Sequence, residues 1–217
     1  MKYVIMCGGY YQNFKETPKQ LSVVNGERIV DRTIRLLKEN GIEEENIYIS
    51  SNNPIFDTCG VKRLEHHNSY RYDNDTLTGY WLDAFYPYFE ENTKVTYVFG
   101  DVYFTESAIK TIVNYKTSKN VLFGTSIAKN EAHENWGEPF AYVVNDYKTF
   151  MNGIENVKRL QDEGKTNRVA LVWELYRYLN ELDINIQQVL DDTYICIDDG
   201  TIDIDDPEQI DELNNME

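Results

Sequence analysis

Tyr3-Val4-Ile5-Met6-Cys7-Gly8-Gly9 is a short apolar run halted by two adjacent glycines. A strand buried on both faces reads as a continuous apolar run, because neither set of alternating side chains meets water. The run therefore predicts a buried parallel strand at the start of the chain. From Cys7 to Gln20 the chain sustains no period and holds Gly8, Gly9 and Pro18, so this segment reads as a long loop.

Outward from this strand, helical and extended patterns alternate. Residues 28–40 read as a helix, with Val30, Ile34 and Leu37 on one face and Gly41 as its stop. Residues 46–50 form a second strand and 61–66 a third. Residues 76–89 carry helical spacing through Leu77, Trp81, Ala84 and Phe85. Val95–Phe99 is rich in β-branched and aromatic residues and reads as a strand. A helix is expected over 107–116, strands over 120–127 and 139–144, helices over 146–163 and 168–182, and a strand over 193–197. Asp206-Pro207 then opens a last helix, with Asp206 as N-cap and Pro207 in its first position.

Strand–helix alternation over residues 1–127 implies right-handed βαβ units. The expected class is α/β, a mostly parallel sheet with helices on both faces. Residues 128–190 break the rhythm and are expected to form a small substrate-binding insertion or lid. The 217 residues are read as one domain, since a domain takes roughly 150 residues and single domains of this size are common.

Charge narrows the partners. The chain has 21 basic and 37 acidic residues, a net charge of −16. That argues against nucleic acid and anionic membranes, which need a basic surface. Three cysteines, without a C-x-x-C pair, outline no disulfide framework, so a reduced, cytoplasmic setting is expected. The opening apolar run is too short for a signal peptide, and no apolar stretch approaches the roughly 18 residues a membrane span needs.

Ligands of open α/β sheets sit at the carboxyl ends of the strands, so residues just past strand ends are the candidates. Gly8 and Gly9 let backbone N–H groups approach an anion, and Lys15 and Lys19 supply positive charge. A plain turn with surface lysines fits the same letters. Asp101, just beyond Val95–Phe99, suits a Mg²⁺ ligand, because Mg²⁺ takes one or two carboxylates plus substrate phosphates. Asp203 and Asp205 alternate along an extended segment and so share a face. Either completes a metal site with Asp101, while Asp206 is spent as the cap. His133, Trp136 and Glu138 fall in a Gly/Pro-punctuated loop that could line a small-molecule pocket.

In chain order these pieces resemble the nucleotidyltransferase superfamily that activates sugar phosphates, phosphocholine and polyol phosphates. Pro18-Lys19-Gln20-Leu21, with Asn25-Gly26 shortly after, is similar to the family's P-K-x-L and N-G pattern. Gly100-Asp101 is similar to its metal-binding aspartate, and Asp203-Ile204-Asp205 to its closing acidic motif. Asn74-Asp75-Thr76-Leu77-Thr78 is loosely similar to a segment of its cytidylyltransferases. The match covers roughly residues 1–127 and the last 20, and leaves the middle unmatched. It departs in the glycine loop, where Tyr11 and Asn13 stand in place of the family's later Gly and its Arg.

The resemblance implies a three-layer, Rossmann-like fold and transfer of a nucleoside monophosphate to a phosphorylated small molecule. Asp101 and Asp205 would hold Mg²⁺, with Asp203 beside them. Lys19, helped by Lys15, would neutralise developing charge. Gly8, Gly9, Tyr10, Asn13, Asn74 and Thr78 would meet the nucleotide, for which CTP is favoured. His133, Trp136 and Glu138 would meet the acceptor. Two other readings remain open: a GT-A-like glycosyltransferase, and a degenerate nucleotide-binding regulatory module lacking the loop Arg.

Overall fold

The computed structural model describes residues 1–8, 14, 17–65, 68–73, 76–126 and 137–215. In chain order it contains β1 (Lys2–Met6), β2 (Val23–Val24), β3 (Glu27–Arg28), α1 (Ile29–Glu39), β4 (Ile47–Ser50) and β5 (Lys62–Leu64). Then come β6 (Arg71–Asp73), β7 (Thr76–Thr78), β8 (Val95–Phe99), β9 (Val102–Tyr103), α2 (Glu106–Asn114) and β10 (Val121–Gly124). The rest is β11 (Pro139–Val144), α3 (Tyr147–Asp162), α4 (Val172–Leu179), β12 (Tyr194–Cys196), β13 (Ile202–Asp203) and α5 (Pro207–Asn214).

The main sheet has seven strands in the order β12-β10-β11-β8-β1-β4-β5. The strand β11 runs antiparallel to both of its neighbours; every other neighbouring pair is parallel. Every residue of β8 is buried, so both faces of the sheet are covered at its centre. On one face Tyr97 stacks on Phe150 of α3 at 5.8 Å and meets Phe85 edge-on at 4.9 Å. The helix α3 packs beside α4, and α1 beside α2. Ile34 and Leu37 of α1 and Ile109 and Ile112 of α2 join the same apolar core. The expected α/β class and mostly parallel sheet are present. The middle of the chain does more than insert: β11 lies inside the main sheet, between β10 and β8.

Residues 76–89 do not form the expected helix. Thr76–Thr78 pairs with Arg71–Asp73 as a hairpin, and the segment then makes only a 3₁₀ turn over Trp81–Ala84. Gly79 sits at φ +77°, with Ser69 and Tyr70 backbone atoms within 2.8 Å of where a Cβ would lie. A helix cannot run through that left-handed position, and Pro87 would break its far end. The apolar spacing is real, but it serves a turn that tucks Leu82, Ala84 and Phe85 into the core. The helix expected over 168–182 is also shorter. Leu171 is extended at its start, and Glu181 at φ +56° ends it. Among the described residues no helix is long and apolar enough to cross a membrane.

Candidate active site

The strands β1 and β8 lie side by side in parallel with Met6 opposite Phe99, so both end at one edge. Gly100 comes next, and its N–H donates to the Met6 carbonyl at 3.1 Å. A Cβ at Gly100 would stand 2.6 Å from that oxygen and 2.7 Å from Cys7 Sγ. Only glycine lets the backbones approach this closely, and the approach delivers Asp101 over the end of β1.

The chain's last strand is brought to the same place. The strand β13 pairs antiparallel with β9, and Ile204 N–H donates to the Asp101 carbonyl at 3.0 Å. Ile204 is fully buried with Val24 and Ile29 in a second apolar cluster, so its neighbours Asp203 and Asp205 line the cleft on the other side. Gln209 of α5 clamps this segment: its Oε1 accepts from Asp205 N–H at 2.7 Å and Asp206 N–H at 2.8 Å. Its Nε2 donates to the Asp203 carbonyl at 3.0 Å.

Lys19 opens a 3₁₀ turn whose next two residues, Gln20 and Leu21, are buried and anchor it. Its ammonium lies 2.9 Å from Asp101 Oδ2 and 3.1 Å from Asp205 Oδ1, with the side chain only 12% exposed. Burial alone would lower the Lys19 pKa, but Asp101, then Asp203 and Asp205, more than offset it and hold the ammonium charged. The acids fare differently. Burial, then the Asp101 charge, pushes Asp203 well above the usual carboxylate range. Burial, then Asp205 and Asp101, raises Glu138. One ammonium thus faces four carboxylates.

These residues floor and wall a cleft of about 450 Å³. Its far side is built by Trp81, Phe99, Glu138, Arg168 and Trp173. Glu138 stands at the mouth of β11. Arg168 is aimed by Glu174, which accepts from its Nε at 3.0 Å and its Nη2 at 3.4 Å. Glu174 is almost fully buried, takes Leu171 N–H at 2.8 Å at the start of α4, and also binds Arg177 Nη2 at 3.0 Å. Trp81, Arg168 and Trp173 were not among the residues expected here. Trp81 and Arg168 sat in segments whose periodicity read as helix, and no letter pattern marks them.

Gly8 lies at the same edge, and its carbonyl accepts from Tyr70 O–H at 3.0 Å. Tyr70 is pushed up to about 12, by burial first and then by Asp101, so it remains a donor. Thr78 is exposed on the β6–β7 hairpin and is not part of the cleft lining. Gly9, Tyr10, Asn13, Lys15, Asn74, His133 and Trp136 lie outside the described residues.

Among the described residues, no three Asp, Glu, His or Cys side chains converge closely enough to hold a metal by themselves. Mg²⁺ asks for less, one or two carboxylates completed by substrate phosphates and water. Asp101 and Asp205 are hard oxygen donors that already share one cation, the Lys19 ammonium, and their surplus charge would be relieved by a divalent ion. The donor set fits Mg²⁺ arriving with a phosphate ligand.

Similar architecture occurs in solved structures. The CTP:phosphocholine cytidylyltransferase of Streptococcus pneumoniae superposes with a TM-score of 0.57 at 17% identity, covering 99% of this chain and 98% of that one. The inositol-1-phosphate CTP transferase of T. maritima gives 0.55 at 14%, with 99% and 96% covered. A Bacillus anthracis protein assigned as a glucose-1-phosphate thymidylyltransferase, in complex with sucrose, gives 0.60 at 15%, with 98% and 93% covered. The chain has the nucleotidyltransferase fold. Coverage is close to complete in both directions, so the nucleotidyltransferase fold accounts for the middle of the chain as well as its two ends. No family model and no curated protein matches the sequence.

Proposed function

We propose that the chain is a Mg²⁺-dependent nucleotidyltransferase that transfers a nucleoside monophosphate, CMP from CTP, to a phosphorylated small molecule. The observation that supports this most is Lys19 lodged between Asp101 and Asp205, at the carboxyl edge of β1 and β8, on this fold. A phosphate oxygen of the acceptor attacks the α-phosphorus of the triphosphate. The new P–O bond forms as the bond to the β-phosphate oxygen breaks, and pyrophosphate leaves with that electron pair.

Little covalent chemistry is asked of the protein, so positioning and charge stabilisation carry the rate. Asp101 and Asp205, with Asp203 beside them, would hold Mg²⁺, which when bound neutralises phosphate charge and orients the triphosphate. Lys19 is within reach of both carboxylates and of the cleft, so it can exchange them for a phosphate oxygen. Gly8 brings backbone to the nucleotide, with Gly9, Tyr10, Asn13, Lys15 and Asn74 as further contacts. Glu138, with His133 and Trp136, faces the acceptor.

The test is thermal stability with CTP, UTP, ATP, GTP and dTTP in turn, with and without Mg²⁺, and then pyrophosphate release with phosphorylated acceptors. Ligand at about 100 times its Kd stabilises a fold by roughly 2.7 kcal/mol. A Mg²⁺-dependent rise with CTP, lost in Asp101→Asn, is expected. A rise with another triphosphate alone corrects the donor. Binding without pyrophosphate release assigns a regulatory module instead, and a flat panel sinks nucleotide binding altogether.

A further inference from the structure

The far side of the cleft is assembled from two separate stretches of chain. Trp81 comes from the turn after the β6–β7 hairpin, while Arg168, Leu171 and Trp173 come from the segment that leads into α4. Their separation sets how wide the cleft is on that side, and both stretches are tied to the same end of α3.

Gln161, in the last turn of α3, lies outside the cleft lining. Its Nε2 donates to the Gly79 carbonyl at 2.8 Å, and its Oε1 accepts from Ala170 N–H at 2.8 Å. Gly79 comes just before Tyr80 and Trp81, and Ala170, which is buried, lies between Arg168 and Trp173. Neighbours of Gln161 hold the same turn. Tyr80 O–H donates to Asp162 Oδ1 at 2.6 Å, and the Lys158 ammonium lies 2.9 Å from Asp83 and 4.8 Å over the Tyr80 ring. The helix that carries them is itself fixed, since its Phe150, Ile154 and Val157 are buried in the core.

The chemistry of this bridge is selective. One atom of the side chain must donate to a carbonyl while another accepts from an N–H, and a primary amide does both. An ionised Glu offers acceptors only, Lys and Arg offer donors only, and Asn is one methylene shorter. Loss of the bridge leaves the buried Ala170 N–H without its acceptor, so the segment that carries it must shift to find another.

We infer that Gln161 is a positioning residue: it sets the width of the acceptor side of the cleft by holding the Trp81 turn and the Arg168–Trp173 segment at a fixed separation. The inference rests on the transferase reading and holds whichever phosphorylated molecule is the acceptor.

The experiment compares wild type, Gln161→Met and Gln161→Glu as full chains. Met keeps the length and the apolar stem and loses both hydrogen bonds, while Glu keeps the bond from Ala170. Pyrophosphate release is measured with Mg²⁺, the triphosphate that stabilises the fold and, in turn, phosphocholine, inositol 1-phosphate and glucose 1-phosphate. Amide hydrogen exchange is followed by mass spectrometry over residues 79–85 and 168–173. In Gln161→Met the acceptor kcat/KM should fall by about 10–100-fold through KM, the cost of a misplacement of about 1 Å at a distance from the chemistry. The triphosphate KM should stay unchanged, and exchange should quicken in both segments. Gln161→Glu should quicken exchange over 79–85 alone and raise the acceptor KM less. A loss confined to kcat, or equal rises in both KM values, overturns the inference and leaves Gln161 a stability feature. A wild type that releases no pyrophosphate removes the transferase reading instead. Exchange then decides the bridge by itself, and unchanged rates in Gln161→Met overturn it.

Discussion

The Lys19 ammonium sits 2.9 Å from Asp101 Oδ2, joining the loop after the first strand to the turn after the central one. The pair spans the two strand ends where this fold exposes its ligands, and both groups are held by buried neighbours. Lys19→Ala removes the cation that bridges Asp101 and Asp205. Loss of one contact of this kind typically costs on the order of 10²–10³ in rate. Pyrophosphate release should fall by that factor while the circular dichroism spectrum stays unchanged. Full activity in the variant would remove Lys19 from the chemistry.

Gly100 controls how closely those strand ends approach. A methyl group there meets the Met6 carbonyl and Cys7 Sγ, both rigidly placed, so the backbone must yield. Gly100→Ala should destabilise the fold by about 1–3 kcal/mol, the usual range for overpacking. It should also weaken Mg²⁺-dependent nucleotide binding, because Asp101 moves with the turn. Urea unfolding and nucleotide thermal shifts read the two effects separately. An unchanged urea midpoint would show that the turn has slack.

Much of this was legible in the sequence for local reasons. The runs Tyr3-Val4-Ile5-Met6 and Val95–Phe99 read as buried strands because both faces are apolar, and both are buried. Asp203 and Asp205 share a face because Ile204 between them is buried. Non-local facts were not legible. The pattern of Pro139–Val144 marks a strand, yet its antiparallel place between β10 and β8 is fixed by distant partners. The spacing of Leu77, Trp81, Ala84 and Phe85 fits a helix, and Gly79, left-handed and pressed against Ser69, rules it out in the structure. Arg168 reaches the cleft because Glu174 turns it there, a relation no motif encodes.

Gln209 is the further residue on which the acidic segment depends. Its amide satisfies Asp205 N–H, Asp206 N–H and the Asp203 carbonyl together, from a helix that touches neither nucleotide nor acceptor in the proposed arrangement. Partners that orient metal ligands typically matter by 10–100-fold in affinity or activity. Gln209→Ala should raise the Mg²⁺ concentration needed for half-maximal nucleotide stabilisation by about tenfold. Gln209→Glu keeps the acceptor oxygens but loses the donor to Asp203, and should fall between. A Gln209→Ala protein with unchanged Mg²⁺ dependence would make the clamp a stability feature alone.

Away from the cleft, Asp83 carries a pH-dependent share of stability. Its carboxylate accepts from Ser69 N–H at 3.2 Å and lies 2.9 Å from the Lys158 ammonium, fixing the turn that carries Trp81. Burial alone would raise its pKa, but the Ser69 and Lys158 hydrogen bonds outweigh it and hold the group below its ordinary value. A depressed carboxylate stabilises the fold fully above its unfolded pKa of about 3.9, and the contribution disappears as pH falls through the lower folded value. Asp83→Asn should therefore cost about 1–2 kcal/mol at pH 7. The gap between variant and wild type, tracked by urea unfolding, should narrow only below about pH 4. A gap that stays constant down to pH 3 would assign the loss to packing or to the Ser69 hydrogen bond alone, not to the charge.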